Sequence, residues 1–200
     1  MATRGAYAKG VAKREEILTT ALDVIARNGY RHASVRELAD AVGLSQAGLL
    51  HYFSSKEELF AEILRKRDEV DLATYGAETG RSAETFFAVI AHNAEVPGLV
   101  QLYAQMAVEA VDPAHPAHAF FVRRAHSLRS VFTELIRDEQ AAGHCDPEVD
   151  PVIAAGLIMA EADGLQTQWL LDPSIDMVEH LMQLWRLVTG ARTDAESPSR

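Results

Sequence analysis

Residues 34–53 read SVRELADAVGLSQAGLLHYF, which is two short amphipathic segments on either side of a glycine. Leu38 and Val42 are four residues apart and share one face of the first segment, while Leu49 supplies an apolar side chain to the second. Gly43 lies where a helix has to end and the chain has to reverse, a position that favours positive φ. Because neither segment is long enough to be a stable helix alone, each must pack against the other and against a third element.

This composition is typical of a helix-turn-helix, in which a tight glycine turn joins two short helices. Ser45 is a candidate N-cap for the second helix. In this motif the second helix enters the DNA major groove. Gln46 can form paired hydrogen bonds with a base edge, and Ala47 can approach a thymine methyl group. An amphipathic helical hairpin without DNA affinity is the alternative interpretation of the same pattern.

The whole chain is predicted to be all-α, because no segment longer than a few residues alternates strictly between apolar and polar side chains. Two capping boxes, Ser34 with Glu37 and Ser55 with Glu58, mark helix starts. Gly, Pro and Asp clusters separate the remaining elements. The predicted helices are 13–28, the two short helices on either side of Gly43, 56 to about 73, 83–94, 99–111, 117–142, 152–171 and 175–188.

Composition favours a soluble globular protein of one or two domains, since 48% of the 200 residues are hydrophobic and 24% are charged. The longest apolar run, residues 152–160, is too short for a membrane span. The amino terminus lacks the apolar stretch of a secretory signal. A single cysteine, Cys145, excludes an intrachain disulfide and fits a reducing compartment. We therefore expect a cytoplasmic protein without a membrane partner.

Charge is distributed unevenly along the chain, whose net charge is −10. Residues 1–67 carry 11 basic and 8 acidic side chains, whereas residues 68–200 carry 8 and 21. A mildly basic head on an acidic body is compatible with phosphate contacts, because such binding depends on the local patch. An ordinary surface would explain the same small excess.

The sequence of residues 13–64 closely resembles the DNA-binding domain of the tetracycline-repressor (TetR) family. The resemblance rests on a first helix ending in NGY, on the run ASVRELADAVGLSQAGLLHYFSSKEELFAEIL, and above all on the FxxKEEL pattern from Phe53 to Leu59. It implies a three-helix DNA-binding head, with 13–28 as the support, 35–41 as the positioning helix and 46–52 as the recognition helix. This head is joined to a larger all-helical body that binds a ligand and dimerises. The expected segments are an arm (1–12), the head (13–56), the body (57–189) and a disordered tail (190–200).

The resemblance also implies roles for individual residues of the head. Leu50 stands where the family usually has a tyrosine that contacts phosphate, so that contact is expected to shift to His51 or Tyr52. Arg4 and Lys9 in the arm could reach an adjacent minor groove. The expected base contacts are Gln46, Ala47, Gly48 and His51, and the expected phosphate contacts are Ser34, Arg36, His51, Tyr52 and Lys56.

A single recognition helix touches few base pairs, so the protein is expected to bind an inverted-repeat operator as a homodimer. The last two helices are the candidates for the dimer interface, although the same pattern would serve a monomer core. Small residues on the first of them permit close helix approach. The predicted interface consists of Ile153, Leu157, Ala160, Gly164, Met177, Leu181, Leu184, Trp185 and Val188.

A pocket for a small-molecule effector is expected among the middle helices, although aromatic residues at helical spacing often form only a core. Carboxylates beside the apolar run 152–160 are costly to bury unpaired, so one of them could select a cationic or hydroxylated ligand. Both could equally face solvent. The candidate pocket residues are Phe86, Phe87, Tyr103, Met106, Phe120, Phe121, His126, Glu161 and Asp163.

No catalytic or cofactor motif is evident, and we expect no enzyme activity, cofactor or metal site. His115, His118, His126, His144 and Cys145 match no helical zinc signature, and no phosphate-binding G-x-x-x-x-G-K-[ST] loop is present. The sequence thus predicts a ligand-responsive transcriptional regulator, most simply a repressor. The alternatives are an activator of the same family and a helical protein-interaction module.

Overall fold

The computed structural model describes residues 2–29, 33–77 and 80–190, with the side chains of residues 2–7 outside that description. Within these ranges the chain is helical and contains no strand, which confirms the all-α prediction. The helices are α1 (Ala2–Asn28), α2 (Val35–Ala41), α3 (Gln46–Leu50), α4 (Lys56–Tyr75), α5 (Ala83–Asn93), α6 (Pro97–Glu109), α7 (His118–Ala141), α8 (Pro151–Leu171) and α9 (Met177–Thr189).

The bounds of α1 and α3 differ from the prediction. Helix α1 begins at Ala2, so residues 2–12, predicted as a flexible arm, extend the helix expected to start at Lys13. The arm is rich in alanine, and each glycine in it costs a helix only about 1 kcal/mol. Helix α3 ends at Leu50 instead of Tyr52. Of the predicted tail, 190–200, Gly190 caps the end of α9, and residues 191–200 lie outside the described residues.

One of the two predicted capping boxes forms completely. At α2 the Ser34 hydroxyl accepts from the Glu37 N–H at 3.2 Å, and the Glu37 carboxylate accepts from the Ser34 N–H at 2.9 Å. At α4 the Ser55 hydroxyl caps the Glu58 N–H at 3.0 Å. The Glu58 carboxylate, however, accepts from the N–H of Ser54 at 2.7 Å, so the predicted box at Ser55 is only half formed. The carboxylate reaches one residue beyond the cap.

The head is held together by a core that α1, α2, α3 and α4 share. Leu38 and Ala39 of α2, Leu49 of α3 and Phe53 are almost fully buried in it. The same apolar cluster continues into α6. Ion pairs reinforce the α1–α4 contact, since the Lys66 ammonium lies 2.7 Å from the Glu15 carboxylate. The head and the body therefore share a continuous core along α4.

Two further apolar clusters form the core of the body. One joins α5, α6, α8 and α9 around Trp169, and the other joins α7 and α8 around Phe132. Helices α7 and α8 pack along each other, and α9 closes against α8. None of the described helices is both long and apolar enough to cross a bilayer.

Candidate DNA-binding surface and ligand cavity

The turn between α2 and α3 depends on one glycine. Gly43 has a φ of +68°, in the left-handed region that only glycine adopts without strain. The N–H of Leu44 donates to the carbonyl of Ala39 at 2.9 Å and closes the turn. The Ser45 hydroxyl then accepts from the Gly48 N–H at 3.0 Å, which caps α3. These contacts fix the angle at which α3 leaves the head.

Helix α3 buries one side and presents the other. Leu49 is completely buried, whereas Gln46, Ala47 and His51 are exposed. Gly48 is half-buried, and a Cβ there would lie 3.2 Å from the Ser45 hydroxyl. Gly48 can thus offer a DNA base only its backbone. The predicted base-contacting residues all lie on or directly after this short helix.

The predicted phosphate contacts differ in how available they are. Arg36 and Lys56 are exposed, and the Lys56 ammonium lies 5.3 Å from the centre of the Phe60 ring. Tyr52 is half-buried. The Ser34 hydroxyl is engaged with Glu37, so a phosphate would have to share it. Of the predicted arm contacts, Lys9 is exposed on α1, and the Arg4 side chain lies outside the described residues.

A cavity of about 430 Å³ lies in the body among α4, α5, α7 and α8. Three predicted pocket residues, Phe86, Phe120 and Asp163, line it. Its further apolar walls come from one face of each of α5, α7 and α8. They are Val89, Ile90, Leu128, Val131, Phe132, Met159 and Ala162.

The other predicted pocket residues do not line the cavity, and the prediction was wrong for them. The residues of α7 that line the cavity recur at helical spacing on one face of the helix. Phe121 and His126 lie on its other faces and therefore do not line the cavity. Tyr103 and Met106 are instead buried in the core that the head shares with α6. The residues to be removed from the predicted lining are Phe87, Tyr103, Met106, Phe121, His126 and Glu161.

The most polar part of the lining was missed at the sequence level. It comes from α4, where Arg67 and Asp71 are each only 5% exposed. Helical spacing from Phe60, Ile63 and Leu64 leads directly to these positions. Charged residues that continue a buried apolar stripe are a signal that could have identified them.

Asp68 connects two arginines at the cavity wall. Its carboxylate accepts from Nε of Arg124 at 2.8 Å and from Nη2 of Arg67 at 3.1 Å. The Tyr103 hydroxyl accepts from Nη1 of Arg124 at 3.2 Å and donates to Asp163 at 2.9 Å. Helices α4, α6, α7 and α8 are thereby joined through one polar network.

Burial affects the pKa values of two carboxyl groups and one phenol in this region, and the net shift is not the same for all three. Burial alone would raise the pKa of Asp68, but the charges of Arg124 and Arg67 and their hydrogen bonds outweigh it and lower that pKa. Burial raises the pKa of Asp71, because the opposing charge of Arg67 is too weakly coupled to compensate. Burial also raises the pKa of Tyr103 to about 12, which keeps its phenol protonated.

Several buried polar atoms of the lining have no hydrogen-bond partner in the part of the chain that the structure describes. They are Nε and Nη1 of Arg67, Oδ2 of Asp71 and Oδ1 of Asn93. Nε of Arg67 and Oδ2 of Asp71 are 3.9 Å apart, too far for a hydrogen bond. Each buried polar group left unsatisfied costs about 1–3 kcal/mol. The cavity therefore carries polar groups that a ligand could satisfy.

The predicted dimer residues fall into three groups. Met177 and Leu181 are 3% and 1% exposed within the single chain, so they belong to its own core and we remove them from the interface. Leu184, Trp185 and Val188 are partly buried against the cluster around Phe132. The other four predicted residues lie wholly or partly at the surface of α8. Three apolar residues of α8 and α9 that the prediction omitted are exposed as well. The four are Ile153, Leu157, Ala160 and Gly164, and the three are Val152, Leu171 and Leu187.

Comparison with known proteins agrees with this architecture. Residues 17–63 match the family model of bacterial regulatory proteins of the tetR family. The repressor KstR2 of Mycobacterium tuberculosis is 28% identical over 150 residues, which cover 70% of this chain and 72% of KstR2.

Two solved structures extend the likeness to most of the chain. A transcriptional regulator from Rhodococcus sp. Rha1 is 25% identical with a TM-score of 0.63, covering 90% of this chain and 98% of that one. AibR, solved in complex with isovaleryl coenzyme A and operator DNA, shares the fold with a TM-score of 0.58 at 20% identity, covering 90% of this chain and all of its own. Residues 17–63 thus match the tetR family of bacterial regulatory proteins, and the chain as a whole shares the fold of these two regulators.

Proposed function

We propose that the protein is a transcriptional repressor that binds an inverted-repeat operator as a homodimer and leaves it when a small molecule fills the cavity. The observation that carries this proposal is the presentation of α3, whose buried Leu49 and capping Ser45 leave Gln46 and Ala47 facing outward. A helix presented in this way fits the major groove. Such a regulator works in the cytoplasm, where it has access to DNA.

Helix α4 supplies the coupling between cavity and DNA. Its first half, with Leu59, Phe60 and Ile63, is part of the head core, while Arg67 and Asp71 in its second half line the cavity. A ligand that displaces this second half must also displace the head. By linkage, a ligand that prefers the displaced state weakens operator binding by the factor by which the operator weakens ligand binding. On this basis we propose that the head extends past residue 56, the expected boundary, into the first half of α4.

The exposed apolar stripe of α8 and α9 is proposed as the dimer interface. Ile153, Leu157 and Leu187 are each more than half exposed, and apolar side chains in such a stripe indicate a contact surface. Two copies joined there would place two α3 helices on successive half-sites. The relatives support the proposal, because KstR2 is a repressor and AibR was solved in complex with isovaleryl coenzyme A and operator DNA.

The test begins with operator capture from fragmented genomic DNA of the source organism at moderate salt. The captured inverted repeat and a scrambled duplex are then titrated against two variants. Gln46→Ala should lose about 1–3 kcal/mol of operator binding with little change on the scrambled duplex. Lys56→Ala should weaken both duplexes alike and reduce the salt dependence by about one phosphate contact.

Arg137→Ala is the matched control, because it removes an exposed positive charge from α7 in the body. It should bind both duplexes as the wild type does. Wild-type affinity of both head variants for the operator would overturn the assignment of α3 and the start of α4 as the DNA-binding surface.

A further inference from the structure

The cavity holds more basic than acidic groups, although it lies in the acidic part of the chain. Five arginines line it, against four carboxylates. Two of these arginines, Arg81 and Arg123, are exposed and form no ion pair with the described residues. A lining of this kind disfavours a cationic ligand, which is one of the two classes that the sequence suggested.

Arg67 distinguishes the inner wall of the cavity from its rim. It is 5% exposed, and Nη2 alone of its three nitrogens has a hydrogen-bond partner among the described residues. Asp68 is already shared with Arg124, so it cannot neutralise Arg67 alone. Nε and Nη1 of Arg67 are therefore donors of a buried cation that await an acceptor, and a carboxylate is the acceptor that suits a guanidinium best.

The neighbours of Arg67 are consistent with an anion at this place. Asn93 is 4% exposed, and its Oδ1 has no hydrogen-bond partner among the described residues. Exchanging the positions of the amide oxygen and nitrogen would present the NH₂ group to a ligand oxygen in its place. Burial raises the pKa of Asp71, and its Oδ2 has no hydrogen-bond partner among the described residues. Gln166, also buried, already donates to the carbonyl of Ala162.

The rest of the cavity is suited to a hydrocarbon. Phe86, Ile90 and Phe132 face it from two sides, and Met159 supplies a flexible wall. A volume of about 430 Å³ is at the lower end of the range for small-molecule sites, so it accommodates one small ligand.

We propose that the effector of this protein is a small, mainly apolar organic acid whose carboxylate binds Arg67 and Asn93 at the inner wall of the cavity. This inference rests on the proposed function, since it names the class of molecule that would release the operator. The hydrocarbon part lies against Phe86, Ile90 and Phe132. The contact with Arg67 lets the ligand act on α4, and through it on the head.

The experiment compares four ligands that share one ten-carbon chain: decanoate, 1-decanol, decylamine and decanoyl coenzyme A. Binding to the full-length protein is measured by calorimetry, and operator release by fluorescence anisotropy. We expect decanoate to bind about tenfold more tightly than 1-decanol or decylamine, because a charge-assisted hydrogen bond contributes enough free energy for a gain in affinity of about that size. Decanoate alone of these three should release the operator at low concentration.

Decanoyl coenzyme A distinguishes between two sources of negative charge, a carboxylate and a phosphate. Its phosphates could bind only near the rim, at Arg81 and Arg123, while its acyl group offers Arg67 no carboxylate. Tight binding of decanoyl coenzyme A without binding of decanoate would overturn the proposal, and so would equal affinities for the acid and the alcohol.

Variants assign the effect to Arg67. Arg67→Gln should abolish the preference for decanoate over 1-decanol, and Arg67→Lys should restore part of it. Arg65→Gln is the control, since Arg65 also lines the cavity but is paired with Glu62 and Glu69. An unchanged acid preference in Arg67→Gln would refute the assignment. The wild-type ligand series decides the matter even if the variants fold poorly, and operator binding without any ligand tests the proposed function separately.

Discussion

At the scale of single residues, Asp68 is the centre of the buried charge network. It accepts hydrogen bonds from Arg67 of its own helix and from Arg124 of α7. Removing the carboxylate would leave two largely buried guanidinium groups without the acceptor that they share, which is more costly than the net stabilisation that the pair provides.

Asp68→Asn is therefore expected to lower the free energy of unfolding by about 2–4 kcal/mol at pH 7. Because the folded state lowers the pKa of Asp68 below its ordinary value of 3.8, its stabilisation is present above that value and is lost as pH falls through the folded pKa. The variant should thus show a weaker loss of stability between pH 5 and pH 3, as measured by urea unfolding at each pH.

Glu69→Gln is the matched control for this prediction. Its side chain is 50% exposed, and its ion pair with Arg65 is at the surface. The change in stability should be within about 0.5 kcal/mol. Equal losses in the two variants would contradict a special role of the Asp68 network.

At the scale of elements, the connection between α2 and α3 determines what the head can present. Each helix is too short to persist alone. Gly43 provides the left-handed residue on which the reversal depends, and open space surrounds its α-carbon, so backbone strain alone would oppose a side chain there.

Gly43→Ala is expected to destabilise the protein by about 1–2 kcal/mol, because alanine resists positive φ. Operator affinity should fall as well, since a shifted turn changes the angle of α3. Thermal unfolding and anisotropy titration measure the two effects. Gly10→Ala is the control: Gly10 is inside α1 with nothing near its α-carbon, so alanine should stabilise by up to about 1 kcal/mol. Stabilisation by both substitutions would argue against the strained turn.

At the scale of the whole molecule, function depends on the surface that α8 and α9 leave uncovered. Leu157 is 55% exposed in the single chain. If the stripe joins two copies, a charge at its centre would be buried against apolar side chains, which is strongly unfavourable.

Leu157→Glu is expected to give a folded monomer with strongly reduced operator affinity, because a single α3 reads only one half-site. Sedimentation measures the mass, and circular dichroism checks the helix content. Val108→Glu, which places the same charge at a 74% exposed position on α6, should remain dimeric. A dimer that persists in Leu157→Glu would show that the interface lies elsewhere.

The sequence by itself determined the elements whose signals are local. The predicted bounds of α2, 35–41, agree with the structure, because the Ser34 capping box and Gly43 act within a few residues of the helix they delimit. The outward face of α3 followed from the same periodicity. The family resemblance and the structure agree on these residues, because the signals that identify the two short helices in the sequence lie within a few residues of each other.

Only the tertiary structure decided which residues form the cavity and which apolar faces remain exposed. Apolar spacing on α8 and α9 is the same for Leu157 as for Leu181, yet one is exposed and the other is buried. Arg67 lies on the buried stripe of α4, and it becomes a cavity wall because α5, α7 and α8 close around the second half of that helix. Periodicity gives the faces of a helix, but burial of a given face depends on its neighbours, and these come from distant parts of the chain.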